Sequence, residues 1–328
     1  MTLHRIARYA GRPLLMTADA AQILARRALA IDPRALRRPG SALLDKPKSL
    51  LGRFASRFSF ADPMAFDDDD FDAQTAPPKP FGYAPSYASA PEHEGFGWSL
   101  VDGIACLNVE GALLDRGFYA CGEMFWGYDT IAQAMKEAMA ESRVRGVFIR
   151  MDSPGGVVAS GLEALTADMR AMREAGNTGG KPIFVYAECA ASAAYWISAQ
   201  ADRIFAPPVG MVGSIGAVIV HEDYSSAYDK AGIKVTPIQF GAKKTDGASF
   251  KPLSEEALAD LQSEIDAIGE RFVADVTAGR EFLGRDALIA TQAACYMADH
   301  PERARSGLAL GLVDELAREE QAFAALRE

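Results

Sequence analysis

Three short stretches hold residues whose types and spacing could do chemistry. The first is YAECAASAAYWISAQADR, Tyr186 to Arg203, where Ser192 is hemmed in by Ala190, Ala191, Ala193 and Ala194. Alanine is the smallest side chain that still favours helix, so a run of it around one hydroxyl keeps the neighbourhood narrow. A strand-like run ends at this serine and a helix starts on it. That puts the hydroxyl where unpaired N–H groups and the helix dipole favour negative charge. The same residue also reads as a plain N-cap at a tightly packed turn. The second stretch is DSPGG, Asp152 to Gly156, at the end of a strand. Consecutive glycines allow positive φ and close approach, and their N–H groups can converge on one oxyanion; a simple tight turn is the bland alternative. The third is GAKKTDG, Gly241 to Gly247, with Lys243 and Lys244 just past a strand end.

A serine hydroxyl is a weak nucleophile and needs a base. The chain has four histidines, His4, His93, His221 and His300, and none has a motif context. No G-x-S-x-G elbow surrounds Ser192. A serine–lysine pair is the alternative. Lysine must be neutral to accept a proton, so its pKa must fall by roughly three units, which corresponds to about 4 kcal/mol of disfavoured charge. Burial in an apolar pocket can do that. Taken alone, Lys243 and Lys244 also read as surface charges. The cysteines Cys106, Cys121, Cys189 and Cys295 are scattered without a C-x-x-C pair. They suggest neither zinc nor a disulfide framework, and fit reduced thiols in a cytosol. Cys189 could be proposed as a nucleophile, but a small core residue is the simpler reading.

These stretches need elements to position them. SLVDGIACLNVEGALL reads as two short strands around a turn, and YDTIAQAMKEAMAESRV has helical spacing. VRGVFIRMDSPGG is an apolar strand entering a glycine turn, and GLEALTADMRAMREAG is a helix closed by Gly176. KPIFVYAECA is the next buried strand, SAAYWISAQAD the next helix, and HEDYSSAYDKAGI another. KVTPIQFGAKK reads as a strand. SEEALADLQSEIDAIGERFVADVTAGR reads as a long amphipathic helix with a serine N-cap and a capping-box glutamate at or near Glu256. Alternating strands and helices predict α/β architecture with a largely parallel sheet.

The 328 residues accommodate one large domain plus extras. A net charge of −10 argues against general nucleic-acid binding. Residues 1–60 form a basic, helix-prone arm, with about twelve Lys and Arg against three Asp up to residue 57. Residues 61–96 read as an acidic, Pro-rich linker. Its aspartates Asp67 to Asp70 form a solvated charge run rather than a metal site. A compact domain follows over 97–318, then a tail over 319–328. No signal peptide or transmembrane segment is evident; VGMVGSIGAVIV is too short and broken by glycines.

The ordered motifs MDSPGG, ECAASAAYWISAQADRI, GMVGSIGAV, GAKKTDGASFKPLSEEA and GLALGLVDEL resemble the signal peptide peptidase A family of serine peptidases. The resemblance covers about Leu100 to Leu316. It implies a ClpP/crotonase-like spiral of β-β-α units, hydrolysis of peptide bonds by a serine–lysine dyad, and no cofactor or metal. It implies Ser192 as nucleophile. The family's glycine, two variable residues, then lysine places the base at Lys244 rather than Lys243. The Gly155 and Gly156 amides become candidates for the oxyanion hole, and Gly213 and Ser214 fall in a segment near the active site. The single peptidase unit with a basic arm looks like the minor capsid protein C branch of phage and prophage head-maturation proteases. The implied substrates are scaffold and capsid polypeptides, with a cytoplasmic or prohead location. Single-domain members form rings, so the resemblance also implies a homo-oligomer in which Ser192 of one protomer meets Lys244 of the next. Three alternatives stand beside this: an anchorless peptidase degrading signal peptides, a crotonase-type acyl-CoA enzyme, and a head-assembly protein with a vestigial site.

Overall fold

The apolar runs expected as buried strands do form the centre of a sheet, because each has something to bury on both faces. The computed structural model describes residues 14–16, 82–120, 123–176 and 180–328. In chain order its elements begin with β1 (Leu14–Met16), β2 (His93–Glu94), β3 (Ser99–Val101), β4 (Ile104–Glu110), β5 (Phe118–Ala120) and β6 (Glu123–Phe125). Then come α1 (Tyr128–Ala140), β7 (Gly146–Ser153), β8 (Gly155–Val157), α2 (Ser160–Gly176), β9 (Ile183–Ala191) and α3 (Ala193–Ser198). After them come β10 (Arg203–Ala206), β11 (Met211–Gly213), α4 (Ser225–Lys230), α5 (Glu255–Gly279) and α6 (Arg285–Ala290). The chain closes with β12 (Cys295–Met297), β13 (Glu315–Leu316) and α7 (Glu319–Arg327). Most of the arm and linker, including the aspartate run and His4, lies outside the described residues, as does Cys121 of the compact domain.

The main sheet has the order β12-β11-β9-β7-β4-β3-β2. Its centre is parallel: β4 pairs with β7 and β7 with β9. Both β10 and β11 run parallel to β9, β10 along Phe184 to Tyr186 and β11 along Cys189 to Ala191. Alternation of side chains along each strand divides the core in two. Leu107, Val109, Ile149, Met151, Val185 and Ala187 pack beneath the helices. Their neighbours Cys106, Phe148, Phe184 and Tyr186 face the other way, onto Phe323 and Leu326 of α7. Two buried faces explain why these strands read as unbroken apolar runs.

Residues 319–328, set apart in the sequence as a tail, therefore contain a helix that covers one face of the sheet. The end of the linker joins it there: Tyr83 and Tyr87 both donate to the Glu319 carboxylate, Tyr87 at 3.1 Å.

Successive units repeat one path. β7 lies in the main sheet, β8 turns out of it, and α2 follows. Before it, β4 leads to Leu113, bridged to Gly156, and then to α1. After it, β9 leads to the Ser192 turn and α3. This spiral of β-β-α units is the expected ClpP/crotonase-like fold.

Two local expectations are corrected. KVTPIQFGAKK is not a strand: no described strand pairs with it, and Ile238 and Phe240 are fully exposed. Alternating apolar residues favour extended backbone, but a strand also needs a partner for its N–H and C=O groups. The helix that follows has Ser254 as N-cap, accepting from Ala257 N–H at 3.2 Å. Ala257 occupies the N3 position, so there is no capping-box glutamate. Glu256 sits one residue earlier and pairs with Lys243 at 3.1 Å.

Candidate active site

Ser192 stands where β9 ends and α3 begins, and the backbone there is forced. Ser192 N–H donates to Gly213 C=O at 2.8 Å, continuing the β9–β11 ladder by one residue. Its own C=O accepts Trp196 N–H at 2.9 Å, closing the first helical turn. Serving a strand on one side and a helix on the other puts Ser192 at φ 56°, ψ −123°. An L-residue held in such a region costs about 1–3 kcal/mol, and the surrounding structure has to impose it. The surrounding alanines are buried, as is Ser192 at 1% exposure. The hydroxyl makes no capping bond. Its only acceptor among the described residues is Gly216 C=O, at a long 3.5 Å.

What imposes the turn is the packing of α3. Trp196 stacks on Phe272 of α5, with ring centroids 4.4 Å apart, and donates its indole N–H to Asp275 at 2.9 Å. Asp275 also takes Arg170 at 3.1 Å and Thr166 at 3.4 Å, so one carboxylate joins α2, α3 and α5. Tyr195 donates to Leu312 C=O at 3.0 Å. Leu312 is secured by the buried Arg280 guanidinium, bidentate on Asp314 and within reach of Gly311 C=O. The sequence reading missed Gly216, Asp275, Arg280 and Asp314, which sit on ordinary helix and loop patterns and carry no local signal.

The glycine loop lies alongside. Ser153 is in register with Ala190, and β8 packs against α3. Gly155 adopts φ 111°, a conformation that suits glycine alone, and its N–H reaches Ser153 Oγ at 3.2 Å. A Cβ on Gly156 would come within 2.3 Å of Leu113 C=O and 2.7 Å of the Tyr128 hydroxyl. Gly213 and Ser214, both at positive φ, form the wall next to Ser192. The fold therefore gathers Ser192, Gly155, Gly156, Gly213 and Ser214 at one end of the sheet.

Lys244 is not hydrogen-bonded to Ser192 within the chain. It sits in a 3-10 turn, Ala242–Thr245, and is exposed. Lys243 is ion-paired with Glu256 and Asp260, which hold its pKa above the usual lysine range. The Lys244 ammonium joins no ion pair among the described residues. The described histidines are engaged elsewhere: His221 at Gly247 C=O, His300 at Glu302 N–H, and His93 against Trp98. Burial pushes the Cys189 thiol up to about 12, so it stays protonated at neutral pH and is a poor nucleophile.

A model of peptidase family S49 matches residues 175–328, a span that includes both Ser192 and Lys244. The chain is 34% identical over 221 residues to the head-tail preconnector protein GP5 of Enterobacteria phage P21, covering 67% of this chain and 42% of that protein. It is 29% identical over 234 residues to capsid assembly protease C of Escherichia phage lambda, covering 70% of this chain and 50% of that one. The chain thus spans about half the length of these two relatives. It is 31% identical over 226 residues to "Putative protease MJ0651" of Methanocaldococcus jannaschii, covering 64% of this chain and 68% of that protein.

Proposed function

The chain belongs to peptidase family S49, and from that premise we propose that it is a serine endopeptidase with Ser192 as nucleophile and Lys244 as base. The observation that carries the reading is the Ser192 turn: a strained, buried hydroxyl, made free of capping duty by a strand and a helix that meet on it. In the reaction, neutral Lys244 takes the Oγ proton as Oγ attacks the scissile carbonyl. The Gly155 and Gly156 amides are the candidate donors to the oxyanion. The proton passes to the departing amine; lysine, neutral again, takes a proton from the water that attacks the acyl-serine and hands it to Ser192 Oγ as the acid product leaves. The unit that does this is residues 97–318 together with α7, which covers one face of its sheet, with the arm and linker before it.

The base comes from a neighbouring copy in a homo-oligomeric ring. Lys244 is exposed within one chain, and the unpaired apolar stretch ending in Ile238 and Phe240 runs directly into it. Docking that stretch on a second copy would bury both the apolar side chains and the lysine. Burial is what a lysine needs to lose its charge. The substrates are polypeptides, and the similarity to GP5 and to capsid assembly protease C supports scaffold and capsid proteins of a phage or prophage head. Among the described residues no helix is long and apolar enough to cross a membrane.

The test follows an unstructured protein substrate by intact mass with wild type, Ser192→Ala and Lys244→Ala. Each variant should lose at least about a thousand-fold in rate. Mixing the two inactive chains should restore part of the activity. Cleavage by Ser192→Ala at the wild-type rate would end the reading. Absence of rescue in verified mixed oligomers would place both residues' work within one chain.

A further inference from the structure

The basic arm has one described stretch, β1, and it lies against the glycine loop. Leu14 is opposite Val157, Leu15 opposite Gly156 and Met16 opposite Gly155, in an antiparallel pair separate from the main sheet. The other edge of β8 is held by Leu113. Leu113 N–H donates to Gly155 C=O at 2.8 Å, and Val157 N–H to Leu113 C=O at 3.0 Å. Backbone groups of successive strand residues turn to opposite edges. Gly156 N–H and C=O therefore face Leu15. Gly156 has no room for a side chain, so this edge presents bare backbone of the kind that accepts an added strand.

The direction of β1 matters. β7 leads into β8, and Ser153 is in register with Ala190, two residues before Ser192. Met16 lies opposite Gly155, the end of β8 nearer that serine. A polypeptide running as β1 runs passes Val157 first and Gly155 last, so it heads toward the end of β8 nearer Ser192.

We propose that Leu14–Met16 of the same chain, seated on the outer edge of β8, acts as an internal competitor that restrains the binding of a substrate backbone along that edge. The proposal rests on the peptidase reading and adds a restraint built into the same chain. With the arm seated, Gly156 N–H is committed to Leu15. Whether that amide serves the oxyanion or the substrate backbone, it is taken. A three-residue strand of the same chain is a weak but always-present competitor, effective through its high local concentration.

The experiment uses full-length chains carrying Ser192→Ala, so binding is read without cleavage. The probe is a fluorescent peptide of residues 11–21, GRPLLMTADAA, followed by anisotropy. Leu15→Pro removes the N–H that faces Gly156 C=O, whereas Met16→Pro removes one that points away from β8, where an edge strand tolerates proline. Leu15→Pro should bind the probe at least about tenfold tighter than its parent, and Met16→Pro within about twofold of it. In chains that retain Ser192, Leu15→Pro should lower KM for an unstructured protein substrate by a similar factor. Equal probe affinity in all three chains overturns the internal competitor. Tighter binding to Leu15→Pro with no cleavage by any chain that retains Ser192 supports the competitor and overturns the peptidase reading instead.

Discussion

At the scale of single residues, reactivity here comes from conformation as much as from residue type. Ser192 is buried at φ 56° because its N–H belongs to a β-ladder and its C=O to a helix. The strain predicts an unusual response to glycine. Ser192→Gly should abolish cleavage yet hold the melting temperature or raise it by up to about 4 °C, since relief of the left-handed conformation outweighs or cancels glycine's entropic cost. Thermal unfolding checks this. A fall of several degrees would mean that the serine side chain holds the turn together rather than being held by it.

At the scale of elements, α3 is only six residues long and cannot fix its own start. Its position is set by α5 through the Trp196–Phe272 stack and by Asp275, which gathers Trp196, Arg170 and Thr166. Asp275→Ala leaves three donors without their acceptor. It should cost about 2–4 kcal/mol, visible as a midpoint lowered by roughly 4–12 °C. Because α3 begins at Ser192, kcat should fall more than KM rises. Unchanged kcat in the folded variant would show that the turn is held by the strand side alone. α5 also follows directly on the Lys244 loop, where Lys243 is tied to Glu256 and Asp260. One helix thus braces the serine's helix and anchors the lysine's turn.

At the scale of the whole molecule, the apolar stretch before Lys244 is the feature a single chain leaves unresolved. Replacing Ile238 and Phe240 together by serine removes fully exposed apolar side chains. The fold's own stability should change by less than about 0.5 kcal/mol. Sedimentation should nevertheless show smaller species, and cleavage should fall in step with dissociation. A variant that keeps the wild-type oligomer with full activity would rule out this stretch as the contact. Much of the fold was legible in advance: β4, β7 and β9 bury both faces and read as unbroken apolar runs, and Ser254 marked the start of α5. KVTPIQFGAKK misled for a physical reason: its alternating apolar residues favour extended backbone, but none of the described strands pairs with it.

The sequence by itself determined the chemical candidates and their order. A serine among alanines, a glycine pair after DSP and a lysine three residues after a glycine are local patterns, and local patterns survive in one dimension. Only the tertiary structure decided what surrounds them. It turned Ser192 to positive φ, set Gly213 beside it, tied Lys243 to two carboxylates and, among the described residues, left Lys244 without an ion pair. It also joined the ends of the compact domain through Glu319 and laid Leu14–Met16 along Gly155–Val157. Each of these depends on contacts between residues far apart in the chain, and burial and hydrogen-bond partnership across such distances are settled only when the chain has folded.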